Sequence, residues 1–172
     1  MLTLLASDLR PTGIEIMGEA TWGTHFCNFY ETQQDMLDIL IPFFKTGLEH
    51  HEYCVYITEA DLAVEKAEES LKTGIPDIRR LIEEKKIEII THKDWYLKKG
   101  CFDAAEVFES WDEKLQFAIN TGFDGMRLNG NATWLERNIW DTFIEYETDL
   151  NSFIKDKKII VMCTYPPIKC LA

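Results

Sequence analysis

His25 and Cys27 stand two residues apart in HFCNFY, so in an extended strand an imidazole and a thiol share one face. Both are ligand types for zinc or iron. No paired spacing of four such ligands occurs in the chain, and a core cysteine beside a hydrogen-bonded histidine is the plainer account, so no metal is assigned. Arg127, in FDGMRLNGN, is the most informative charge. A guanidinium in an apolar strand needs a partner. Either it pairs with Glu31 or Glu59 at neighbouring strand ends, or it reaches out as a ligand anchor. His50 and His51 close the first predicted helix, where cations suit the macrodipole, and need no chemical role.

Phosphate chemistry can be tested directly. A phosphate loop needs glycines for close backbone approach and a lysine for charge. The turn after the first aromatic strand is FYETQQD, without glycine or lysine, and Glu31 there repels a phosphate. Neither GxGxxG nor GxxxxGK[ST] occurs. Nothing argues for nucleophilic catalysis either: there is no GxSxG and no cysteine at a predicted helix start. No catalytic residue and no cofactor is assigned.

The elements that must position these residues begin at residues 25–58. HFCNFY reads as a strand, Thr32 and Asp35 as a helix cap, and Met36, Leu37, Leu40, Ile41, Phe44 and Leu48 as a helical stripe containing Pro42, which predicts a kink. Residues 53–57 form a second strand, completing a βαβ unit. Residues 60–71 predict a helix closed by a left-handed Gly74, and Pro76 opens a short helix. Residues 86–91 are a third strand, 92–102 a loop, and Asp103 caps a helix ending near Gly122. Residues 123–128 are a fourth strand with Asn129, Gly130 and Asn131 as its exit turn. Thr133 and Glu136 read as a capping box for the longest helix, and 158–165 as the last strand. Alternating strands and helices predict an α/β three-layer sandwich with a mainly parallel central sheet. The whole chain, 1–172, reads as one domain, with 1–20 an arm or edge strand.

At 172 residues with 46% apolar content the chain can bury a full core, and its net charge of -12 disfavours nucleic acid and anionic lipid as direct partners. Five cysteines without a CxxC pair, three of them (Cys27, Cys54 and Cys163) inside predicted strands as small buried hydrophobes, suit a reducing cytoplasm. Residues 1–10 lack the basic lead of a secretory signal, and no stretch approaches a membrane span, so the expected location is cytoplasmic.

In open α/β sheets, ligands bind outside the carboxyl ends of the strands. That rule selects Tyr30 and Glu31, Trp95 and Tyr96, Arg127, Asn131 and Trp134, and Tyr165. Such an aromatic, sparingly charged rim favours a small apolar or cationic ligand over a polyphosphate. Trp95 and Trp134 read equally as core plugs or pocket walls.

Taken together, HFCNFYET, IPFFKTGLEHHEYCVYIT, WYLKKGCFD, RLNGNATW and IVMCTY resemble the MEDS domain over roughly residues 20–168. This is a sensory module of methanogens and methylotrophs. The resemblance implies a RecA/KaiC-like fold that has lost its Walker A loop, and a non-enzymatic sensor of small hydrocarbon derivatives, methylated or halogenated. It implies a histidine kinase or transcriptional regulator as output, in cis or in trans, with a homodimer as one route. The motif positions carried over are His25, Cys27, Tyr30, Glu31, Trp95, Tyr96, Arg127, Gly130, Trp134, Cys163 and Tyr165. Asn131 departs from the family, which often has a glutamate there. His25 opens its strand, about 16 Å of extended chain from Tyr30, and is expected at the opposite end of the sheet from the crevice. The alternative to a sensor is a ligand-free interaction and oligomerisation module on a degenerate ATPase fold, with a solid crevice plugged by Trp95 and Trp134 and with Arg127 paired internally.

Overall fold

The computed structural model describes residues 9–167. A two-stranded antiparallel hairpin, β1 (Leu9–Pro11) and β2 (Glu19–Thr21), leads into a sheet of five parallel strands. These are β3 (Thr24–Phe29), β4 (Tyr53–Ile57), β5 (Ile87–Ile90), β6 (Met126–Asn131) and β7 (Ile159–Tyr165), in spatial order β3-β7-β6-β4-β5. The expected parallel sheet is therefore present. The first βαβ unit does not close on itself, however, because β7 and β6 lie between β3 and β4. The arm or edge strand expected over residues 1–20 is the hairpin for its described part, and residues 1–8 lie outside the described residues.

Among the described residues six α-helices flank the sheet: α1 (Gln33–Glu49), α2 (Val64–Lys72), α3 (Ile78–Glu83), α4 (His92–Tyr96), α5 (Ala104–Asn120) and α6 (Trp140–Ile154). One core joins Tyr53, Val55, Leu128 and Val161 to Trp111 of α5 and Tyr146 and Leu150 of α6. The other joins Cys54, Tyr56, Ile160 and Met162 to Met36, Leu40, Phe43 and Phe44 of α1 and Leu71 of α2. Alternate side chains of β4 and β7 enter opposite cores, so these two strands are apolar along nearly their whole length, whereas β6 alternates apolar residues with the buried polar Arg127, Asn129 and Asn131.

The capping box at the start of α1 forms as expected: Thr32 Oγ1 accepts from Asp35 N at 3.2 Å, and Asp35 Oδ2 accepts from Thr32 N at 2.9 Å. Helix α1 is assigned continuously through Pro42. Gly74 is not left-handed; Thr73 ends α2, and glycine is required at 74 because a Cβ would lie 2.2 Å from Ile41 Cγ2. The segment expected to be a loop after β5 contains α4, capped by Thr91, whose hydroxyl accepts from Asp94 N. At five residues that helix is too short to display a period.

The largest shift is around β6, which starts at Met126 and runs through Gly130 and Asn131 where an exit turn was expected. A turn-forming composition is overridden because both Asn129 and Asn131 find buried hydrogen-bond partners, and because Gly130 leaves room for the Tyr96 hydroxyl, 2.5 Å from where a Cβ would stand. Thr133 does not cap α6. A 3-10 turn over Arg137–Ile139 intervenes, and α6 begins at Trp140.

Candidate functional site

The carboxyl ends of β3, β6 and β7 meet in a polar node centred on Asn131, which is 1% exposed. Its Nδ2 donates to Tyr30 Oη at 3.1 Å and Thr164 Oγ1 at 3.0 Å. Its Oδ1 accepts from Thr133 N at 2.8 Å and from Thr133 Oγ1 at 2.6 Å. Thr133 Oγ1 in turn accepts from Ala60 N at 2.7 Å, tying the loop after β6 to the loop after β4. Every partner of the Asn131 side chain is neutral, so this node acts as a brace and holds no acid or base.

Beside it, on the α5/α6 side of the sheet, the aromatic residues converge. Tyr96 and Trp134 stack at 4.7 Å between centroids, and Phe102, Phe143 and Tyr146 each lie within 6.4 Å of the Tyr96 ring. Trp95 packs edge-on against Trp111 at 5.8 Å. Trp95 and Trp134 are both buried, and neither indole Nε1 has a hydrogen-bond partner among the described residues. Burial raises the Tyr96 and Tyr146 hydroxyls well above the ordinary phenol range, so both stay protonated. At the far side of the node Tyr56 Oη donates to Glu59 Oε2 at 2.7 Å, and burial lifts the Glu59 carboxyl above its usual value.

Arg127 is elsewhere. It is the second residue of β6, fully buried, and its Nε donates to Glu52 Oε2 at 2.6 Å. Nη1 donates to the carbonyls of Thr12 (3.1 Å) and Phe43 (2.8 Å), and Nη2 to that of Pro11 (2.9 Å), with the guanidinium 4.7 Å from the Phe43 ring centroid. The expected partners Glu31 and Glu59 are both wrong: they lie at the carboxyl rim, while Arg127 occupies the amino end of its strand. Glu52 was missed because it precedes β4 with no local pattern to mark it. Gly47 makes space for the guanidinium, whose Nε lies 3.0 Å from where a Cβ would be. Glu31 is exposed, and its side chain joins none of these groups.

His25 and Cys27 lie along β3 facing α6. Cys27 is exposed, against the expectation of a buried hydrophobe, because β3 is an edge strand. Cys54 and Cys163 are buried as expected. Glu147, a residue that no sequence pattern singled out, brings this group together from mid-α6. His25 Nε2 is 3.4 Å from Glu147 Oε2, and Cys163 Sγ donates to Glu147 Oε1 at 3.6 Å. Burial pushes the Glu147 carboxyl up to about 7 and pulls the His25 imidazole below its ordinary value.

That carboxyl predicts a pH dependence. Native Glu147 keeps its proton where the unfolded chain, at 4.5, has lost it, so its stabilising contribution is complete below about 4.5 and is lost as pH rises through about 7. The full difference is worth about 3 kcal/mol at roughly 1.4 kcal/mol per tenfold. His25 works in the opposite sense, since its lowered value destabilises the fold as pH falls below 6.5. Glu147→Gln should therefore remove the alkaline loss and leave the acidic one, read from urea midpoints of chelator-treated protein at pH 5 and pH 8. A variant that retained the full loss at pH 8 would assign it to another group.

Three open grooves among the described residues lie away from this rim. One, of about 480 Å³, runs beside β5 between Glu68, Ile87, Glu88, Lys114 and Phe117. No helix among the described residues is long and apolar enough to cross a membrane.

Residues 24–171 match the family MEDS, described as the MEthanogen/methylotroph, DcmR Sensory domain. The chain belongs to the MEDS family. No curated protein matches it. Among solved structures, the MEDS chain is similar to a KaiC-like protein of the hyperthermophilic archaeon Pyrococcus horikoshii OT3, with a TM-score of 0.62 at 15% identity over 96% of this chain and 70% of that one. The RecA/KaiC-like architecture expected from the resemblance is thus present, and in this MEDS domain the turn from β3 into α1 carries Glu31 and Thr32 in place of phosphate-binding glycines.

Proposed function

We propose that this MEDS domain is a non-enzymatic sensor whose small ligand, a methylated or halogenated hydrocarbon derivative, enters the aromatic cluster around Tyr96 and Trp134. The observation that carries the reading is an apolar ring cluster at the carboxyl rim in which two buried indole N–H groups, on Trp95 and Trp134, have no acceptor among the described residues. A small apolar molecule with one weak acceptor suits such a lining. Trp134 also sits in the 132–139 loop, which is braced by Asn131 and leads directly into α6. A ligand that displaces Trp134 would thereby shift α6, giving a path to a kinase or transcriptional output, through a homodimer or a further domain.

One observation favours the alternative, a ligand-free interaction module: the crevice is filled by Trp95 and Trp134, at 1% and 7% exposed, and Arg127 is paired internally. Thermal unfolding with tryptophan fluorescence decides between them, using methylated amines, thiols and chlorinated methanes. The sensor predicts a rise of about 5 °C or more at a hundredfold excess over Kd for one class. That rise should shrink in Trp134→Phe. No response to any of the three classes would leave the interaction module as the function.

A further inference from the structure

The geometry points to a divalent metal site of the zinc type formed by His25 Nε2, Cys27 Sγ and a Glu147 carboxylate oxygen, with a fourth position open on the exposed Cys27 side. The three donor atoms lie within 4.8 Å of one another. Zinc distances of about 2.0–2.3 Å place two ligands of one tetrahedron about 3.3–3.5 Å apart, and the His25 Nε2 to Glu147 Oε2 separation is 3.4 Å.

The orientation of His25 carries the argument further. Asn151 Nδ2 donates to the Glu147 carbonyl at 2.9 Å, which turns Asn151 Oδ1 toward His25 Nδ1 at 3.2 Å. An amide oxygen only accepts, so Nδ1 bears the hydrogen and Nε2 presents a lone pair. That lone pair, on a side chain only 5% exposed, makes no hydrogen bond among the described residues and faces a Glu147 carboxyl oxygen. A shared proton or a metal ion can bridge these two atoms, and it is the third donor, Cys27 Sγ, within 4.8 Å of both, that favours a metal ion in place of the proton. Cys163 Sγ donates to the other carboxylate oxygen, Oε1, at 3.6 Å, which leaves Oε2 turned toward His25, as an outer hydrogen bond orients a metal ligand. A Cys27 thiolate and the Glu147 carboxylate together neutralise a divalent ion, and a set of imidazole, thiolate and carboxylate suits zinc.

This site stands independently of the organic ligand proposed above, and its test uses metal alone. Chelator-treated protein is titrated with Co²⁺ and then with Zn²⁺. One Co²⁺ per chain should bind with a thiolate-to-cobalt charge-transfer absorption, and Zn²⁺ should displace it. Cys27→Ser, at an exposed position, should abolish that absorption, and His25→Gln should weaken binding about 100-fold or more, while Asn151→Ala should weaken it about 10- to 100-fold. Cys101→Ser, far from the cluster in sequence and also exposed, should change nothing. The absence of stoichiometric Co²⁺ binding, or binding that survives both Cys27→Ser and His25→Gln in proteins of unchanged circular dichroism, would overturn the site.

Discussion

Replacing Arg127 by leucine is expected to lower folding stability by about 3–5 kcal/mol, the range for removing one partner of a buried ion pair. Glu52, with a fully buried side chain, would keep only Arg10, whose Nε donates to Glu52 Oε1 at 2.8 Å. The carbonyls of Pro11, Thr12 and Phe43 would lose their guanidinium donors as well. Arg127 thereby fastens the segment after β1 to α1 and to the sheet, and the loss should include the docking of the hairpin. Lysine cannot restore the planar fork and should recover only part of the stability. The double change Arg127→Leu with Glu52→Leu should be less damaging than Arg127→Leu alone, since no buried charge is left unpaired. Urea unfolding of the three variants measures this. A loss under about 1 kcal/mol for Arg127→Leu would contradict a structural role and return Arg127 to the ligand-anchor reading.

Trp134→Ala is expected to lower stability by about 3–5 kcal/mol, the usual range for deleting a buried tryptophan. The ring is removed from a stack with Tyr96 at 4.7 Å and from contact with Phe102 and Phe143 at 5.6 and 5.7 Å. The surrounding rings are themselves braced by the sheet and by α5, so the space should remain as an apolar cavity. Such cavities bind apolar molecules of matching size. Added indole should therefore raise the melting temperature of Trp134→Ala and leave that of the parent protein unchanged. A loss well under 2 kcal/mol with no indole response would mean that the loop collapses onto the gap and that Trp134 is a mobile wall.

Much of the architecture was legible because it rests on local patterning. The stripe from Met36 to Leu48, the Thr32–Asp35 box and the unbroken apolar run before Tyr165 each report a burial that the neighbouring residues already imply. The failures have one cause in common. RLNGN looks like a turn until Gly130 is seen beneath the Tyr96 hydroxyl and Asn131 beside Tyr30 and Thr164, contacts across 33 to 101 residues of chain. Gly74 looks like a cap until Ile41 is placed against it. Cys27 looks like a core residue until its strand is found at the sheet edge.

By itself the sequence determined the alternation of strands and helices, the parallel sheet, the absence of a phosphate loop and the aromatic character of the carboxyl rim. These follow from side-chain periodicity and from residue chemistry within a few positions. Only the tertiary structure decided the strand order, the Arg127–Glu52 pair at the opposite end of the sheet from the rim, and the meeting of Glu147 with His25 and Cys27. Each of those depends on which distant segments desolvate together, and a buried charge or lone pair takes its meaning from the partner that folding places beside it.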